Sequence, residues 1–79
     1  MVKVLVVLLT TEGLKGLGTH EFTHLPRIGD WLELEDENHR AVCYDVVKVI
    51  LGWRGADVYV TNPRPTSSAL LMLGEQFAG

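Results

Sequence analysis

The chain has 79 residues, 47% hydrophobic and 22% charged, with a formal net charge of −3. So short a chain allows one domain, 1–79, with a marginal core, and its apolar fraction excludes disorder while pointing to a second copy as the cover for surplus apolar surface. The acidic balance excludes a global basic field for phosphate backbones, and the lone Cys43 excludes a disulfide scaffold and suits a reducing compartment, the cytoplasm.

Residues 2–10 read as a buried strand, since valine is enriched and apolar side chains fall on both faces: Val2, Val4, Val6 and Leu8 on one, Leu5, Val7 and Leu9 on the other. The run is too short to span a membrane, and Thr10-Thr11-Glu12 does not resemble a signal-peptide cleavage site, so no membrane partner is expected. Both faces need cover, and a homodimer or higher homo-oligomer formed through this strand or the C-terminal segment would supply it. From Thr11 to Thr19 three glycines break any regular period, which predicts a loop.

His20 to Leu25 reads as a short strand stopped by Pro26, the residue before a proline being held extended. Pro26 to Asp30 is a turn, and Trp31 to Glu35 is a strand with Leu32 and Leu34 inward. Asp36 to Arg40 is a polar hairpin tip. Ala41 to Leu51 is the longest strand, with an inward set of Val42, Tyr44, Val46, Val49 and Leu51. Its single step of three predicts a β-bulge near Val47 and puts Cys43, Asp45, Lys48 and Ile50 on the opposite face.

Gly52-Trp53-Arg54-Gly55 is a tight turn, and Asp57 to Thr61 is a strand with Val58 and Val60 inward, ended by Asn62, Pro63 and Pro65. Residues 66–77 fit either a helix capped by Thr66 or Ser67, with Leu70, Leu73 and Phe77 on one stripe, or a terminal strand.

One segment imitates an enzyme. His20-Glu21-Phe22-Thr23-His24 matches H-E-x-x-H, in which two helical histidines bind zinc and the glutamate activates water. That chemistry needs a helix to bring residues four apart onto one face, and Pro26 ends the segment after about one and a half turns. In a strand the two Cα atoms stand about 13 Å apart, too far for one tetrahedral ion, and no spacing marks a third ligand. The zinc-hydrolase reading is therefore set aside, and no catalytic, cofactor-binding or metal-binding residue is assigned.

Trp and Arg are the side chains most enriched at binding hot spots, which makes Arg27, Trp31, Trp53 and Arg54 the candidate binding surface, for a protein or small-molecule ligand. Against this, one tryptophan is expected to pack in the core and the other to cover a barrel end, with the arginines solvated or paired to Glu33, Glu35, Asp36 and Glu37. A rival reading takes Trp53 with Arg40, Arg54 and Arg64 as a stripe for single-stranded nucleic acid.

Leu25-Pro26-Arg27-Ile28-Gly29-Asp30-Trp31-Leu32-Glu33-Leu34, followed by Tyr44-x-Val46-x-x-Val49, resembles small SH3-like β-barrel proteins of bacteria, phages and mobile elements, including products of integron gene cassettes. The resemblance covers residues 20–61. With the strand pattern it implies an all-β fold: a five- or six-stranded, mainly antiparallel, strongly bent sheet closing towards an SH3-like barrel. The resemblance bears on fold more than on activity; the expectation of a binding or adaptor module rests instead on the absence of a catalytic constellation and on the surplus of apolar surface.

Overall fold

The computed structural model describes residues 1–77, and side chains as far as Glu75. Five strands and one helix follow in the order β1 (Val2–Thr10), β2 (Gly13–Phe22), β3 (Trp31–Glu35), β4 (Ala41–Gly52), β5 (Gly55–Pro65) and α1 (Thr66–Phe77). The strands make a single sheet of order β2-β1-β5-β4-β3, curled into a half-barrel. Three of its pairings are antiparallel, whereas β1 and β5 run parallel, from Val4 beside Ala56 to Leu8 beside Val60. No described helix is long and apolar enough to cross a membrane.

The alternation along β1 decides which face is the core. Val4 and Val6 are fully buried, as are Val58 and Val60 on β5, and with Leu32, Tyr44, Val46 and Ala56 they fill the concave side of the sheet. Leu5 and Leu9 point the other way, towards the convex side, and are partly exposed.

The segment expected to be a loop after Thr11 is instead β2, the edge partner of β1. Thr11 and Glu12 form the hairpin turn, closed by the Thr10 hydroxyl, which donates to the Gly13 carbonyl at 2.9 Å and accepts from the Glu12 amide at 3.2 Å. The glycines do not interrupt pairing because one of them makes a bulge. Leu5 pairs with Thr19 and Val7 with Gly16, so two residues of β2, Leu17 and Gly18, face one of β1, and Gly18 takes the φ of +87° that the extra residue requires. The expected strand at residues 20–25 survives only as the end of β2, through Phe22.

The bulge predicted in β4 is present. Val46 pairs with Val60 and Lys48 with Tyr59, leaving Val47 unpaired and exposed. Val42, Tyr44, Val46 and Val49 pack inward as expected; Leu51 does not, being 71% exposed where β4 is the sheet edge, β3 lying beside it only as far as Asp45.

A second bulge was not legible. Asp45 pairs with Thr61 and Cys43 with Arg64, so β5 spends three steps against two of β4, with Asn62 at φ 57°. Asparagine tolerates that left-handed conformation. The strand therefore continues to Pro65 rather than ending at Thr61, and beyond Val60 β5 no longer has β1 beside it, so the missing proline amides leave no ladder partner there unsatisfied.

Of the two readings for the C-terminal segment the helix is the one formed. It contacts β4 and β5 and lies over the convex side: Cys43 alternates with the core residues Val42 and Tyr44, yet is buried, and Ala69 of α1 is buried too. The docked residue is Ala69, not Leu70, which is 58% exposed. Leu73 is half-buried, and the side chain of Phe77, third in the expected stripe, lies outside the described part.

Candidate functional site

The turn before β3 fixes where Trp31 stands. The Arg27 amide donates to Asp30 Oδ2 at 2.9 Å and the Asp30 amide to the Arg27 carbonyl at 3.0 Å, with Gly29 at φ +94°. The loop is tied to β4 in both directions, since the Gly29 amide donates to the Val46 carbonyl at 2.9 Å and the Val46 amide to the Asp30 carbonyl at 3.0 Å. Trp31 is thereby set directly opposite Asp45 on the convex side.

On the other flank of Asp45 the β5 bulge brings up Asn62 and Arg64. Arg64 Nη2 donates to Asp45 Oδ1 at 2.8 Å, Arg64 Nη1 to the Asn62 carbonyl at 2.8 Å, and Asn62 Nδ2 to Asp45 Oδ2 at 3.2 Å. The Arg64 side chain is mostly buried and its guanidinium lies 4.8 Å from the centroid of the Trp31 ring. Trp31 remains 45% exposed. Two residues beyond Arg64 the chain turns into α1, and between the helix and this wall lies a cleft of about 560 Å³. Trp31, Asp45, Asn62 and Arg64 form its polar and aromatic side, Ala69, Met72 and Leu73 its apolar side, and Glu75 completes the lining. The size falls within the range of small-ligand pockets, and the composition, apolar with a few convergent polar groups, is theirs too.

No protein-family model, curated protein or solved structure matches the chain.

The expected binding set is split between two ends of the sheet. Trp53 and Arg54 occupy the two-residue β4–β5 turn, 88% exposed in the case of Trp53, with the Arg54 guanidinium 4.5 Å from the Trp53 ring centroid. From Asp45, beside Trp31, to Gly52 is seven strand steps, about 23 Å. Arg27 is exposed in the β2–β3 connection, engaged through its backbone. Neither tryptophan packs in the core. Of the two expected states for the candidate arginines the solvated one is seen, Arg27 and Arg54 being exposed with Arg54 over Trp53, while Arg64 pairs with Asp45 and Glu35 meets His39 at the β3–β4 tip.

The stripe of Arg40, Arg54 and Arg64 is not brought together, because Arg40 and Arg54 flank opposite ends of the twelve-residue β4. The H-E-x-x-H segment is strand and bend, with His20 paired to Val4 and His24 beyond the end of β2. His20 Nε2 donates to the Leu17 carbonyl at 2.8 Å, so that nitrogen carries the proton and offers no lone pair. Among the described residues no group of three or more His, Cys, Asp and Glu side chains is placed to hold a metal ion.

Beneath α1, burial pushes the Cys43 thiol above its ordinary pKa; Arg64 opposes this, while Asp45 and Glu33 add to it. Burial also raises the Tyr44 phenol on the core side, helped by Asp36. Asp45 and Asn62 were missed by sequence reasoning. No sequence signal marks them: a residue before a proline is ordinarily held extended, and Asn62 takes its φ of 57° only in the folded sheet.

Proposed function

We propose that the protein is a non-catalytic binding module whose ligand site is the cleft between α1 and the convex side of β3, β4 and β5. The observation that carries this reading is Trp31: a large aromatic ring left half-exposed at the lip of a ligand-sized cleft, with its orientation set by the tied turn before it and by Arg64 stacked upon it. Rigid aromatic and arginine anchors of this kind supply contact area at low entropic cost. The ligand belongs to the small-molecule class or is a side chain of a protein partner. Screening a library of small aliphatic and aromatic compounds by 1H–15N NMR tests it: shifts are expected at the Trp31 indole and at the amides of residues 69–73. Hits confined to the Trp53 turn would overturn it.

A second reading is favoured by a different observation. The convex side away from α1 exposes Leu5, Leu9, Leu14 and Ile50, bordered by Trp53, and a second copy would cover them. Since β1 has β2 on one side and β5 on the other, this association would use its outward face and not its edge. The single buried cysteine suits a cytoplasmic setting. The kinship to small SH3-like barrel proteins of mobile elements belongs to the same proposal, supported by the turn, β3, tip and bulged β4 in that order.

A further inference from the structure

The charges lining the α1 cleft point to the class of ligand. Arg64 supplies one positive charge, and it is consumed: one of its nitrogens is held by Asp45 Oδ1 and another by the Asn62 carbonyl. Asp45 is likewise engaged through both oxygens, by Arg64 and by Asn62. Glu75 is different. Among the described residues the ion pairs are Arg64–Asp45 and His39–Glu35, so the Glu75 carboxylate lines the cleft without a cationic partner. An anionic ligand would meet two carboxylates and a guanidinium already neutralised. A neutral one would gain nothing from the exposed Glu75 charge.

Resting on the reading of this cleft as the ligand site, we infer that it takes an aliphatic ammonium, the chemistry of a free alkylamine or of a lysine side chain. The alkyl stem lies along Ala69, Met72 and Leu73, the ammonium reaches Glu75, and the half-exposed Trp31 ring offers its negative quadrupole to the same cation. Arg64 already holds one side of that ring, so the ammonium would meet its exposed remainder. The net charge of −3 favours the approach of a cation from solution.

The test is fluorescence titration of the full chain carrying Trp53→Phe, which leaves Trp31 as the only indole, with three six-carbon probes: hexylammonium, hexanol and hexanoate. A fourth, a blocked Gly-Lys-Gly peptide, distinguishes a peptide-borne lysine from a free amine by which of the two saturates at lower concentration. Hexylammonium is expected to saturate first, and Glu75→Gln to weaken it by about three- to fivefold while leaving hexanol unchanged, the factor that a solvent-exposed ion pair carries. Equal affinity for hexanoate, or no effect of Glu75→Gln on hexylammonium, overturns the ammonium assignment while the cleft stands. Failure of every probe to perturb Trp31, up to its solubility limit, overturns the cleft as a ligand site and the inference with it.

Discussion

Arg64 lies over Trp31, 4.8 Å from the ring centroid, with its guanidinium held by Asp45 Oδ1 at 2.8 Å and by the Asn62 carbonyl at 2.8 Å. Three strands meet in this relationship: Trp31 opens β3, Asp45 is its cross-strand partner on β4, and Arg64 follows the bulge of β5. One ion pair therefore ties together the three strands that build the polar wall of the cleft.

Asp45→Ala is expected to cost about 1–3 kcal/mol, because it leaves a mostly buried guanidinium without its carboxylate. Asp45 is itself 35% exposed, which keeps the loss below that of a fully buried pair. The double variant Asp45→Ala with Arg64→Met should lose less than the sum of the two single changes, since the uncompensated charge is gone. Urea denaturation measures all three. An Asp45→Ala protein as stable as the parent would show that the pair holds nothing in place.

Core packing gives a sharper contrast. Val58 is fully buried at the middle of β5, so Val58→Ala is expected to cost about 2–3 kcal/mol from lost contacts and the cavity left behind. Leu51→Ala should cost less than about 0.5 kcal/mol, although alternation places Leu51 in the inward set. Alternation is a local rule, and it reads β3, the inward residues of β4 up to Val49, and Val58 and Val60 correctly because those stretches lie over the core. It fails at Leu51 because β3 lies beside β4 only as far as Asp45 and leaves the rest of that strand as a sheet edge, which no sequence period records. The convex-side cleft was less legible still. Trp31 and Arg64 stand out as residue types, but their meeting depends on the Asn62 bulge and on α1 folding back over Cys43, both tertiary outcomes.

Gly18 tests the bulge that turned an expected loop into β2. With φ at +87°, Gly18→Ala is strained whatever room surrounds it, and the added Cβ would lie 3.7 Å from His20 Nε2, in ordinary contact. A loss of about 1–2 kcal/mol is expected from the backbone conformation alone. Gly16→Ala, with nothing near its Cβ and no positive φ, is the control and should be close to neutral. If both variants behave alike in thermal denaturation, the strand is not bulged at this point.

The protein should lose stability in alkali. Burial raises the Cys43 thiol and the Tyr44 phenol in the folded chain, so above about pH 8.5, the unfolded thiol value, the unfolded chain releases a proton that the folded chain keeps. The contribution of both groups is fully present below that pH and declines as pH rises through the folded values. Cys43→Ala should remove the earlier part of the decline and leave the part that begins near pH 10, the ordinary value for tyrosine. Denaturation midpoints across this range measure the effect; a midpoint that is flat from neutrality to pH 11 contradicts it.

Self-association through the convex side makes the last prediction. Leu5 and Ile50 both flank Asp57 in the register of β1, β5 and β4, so they share one face on either side of it, about 10 Å apart, at 38% and 46% exposure. Burying such a patch in a symmetric contact removes apolar area from water on both copies, at roughly 25 cal/mol per Å² before the cost of association. Leu5→Lys places a cation near its own symmetry mate and should shift sedimentation from dimer to monomer at micromolar concentration. The fold should survive, because β1 keeps Val4 and Val6 in the core. A parent protein that already sediments as a monomer at that concentration removes the dimer, and leaves the α1 cleft untouched because it lies within one copy.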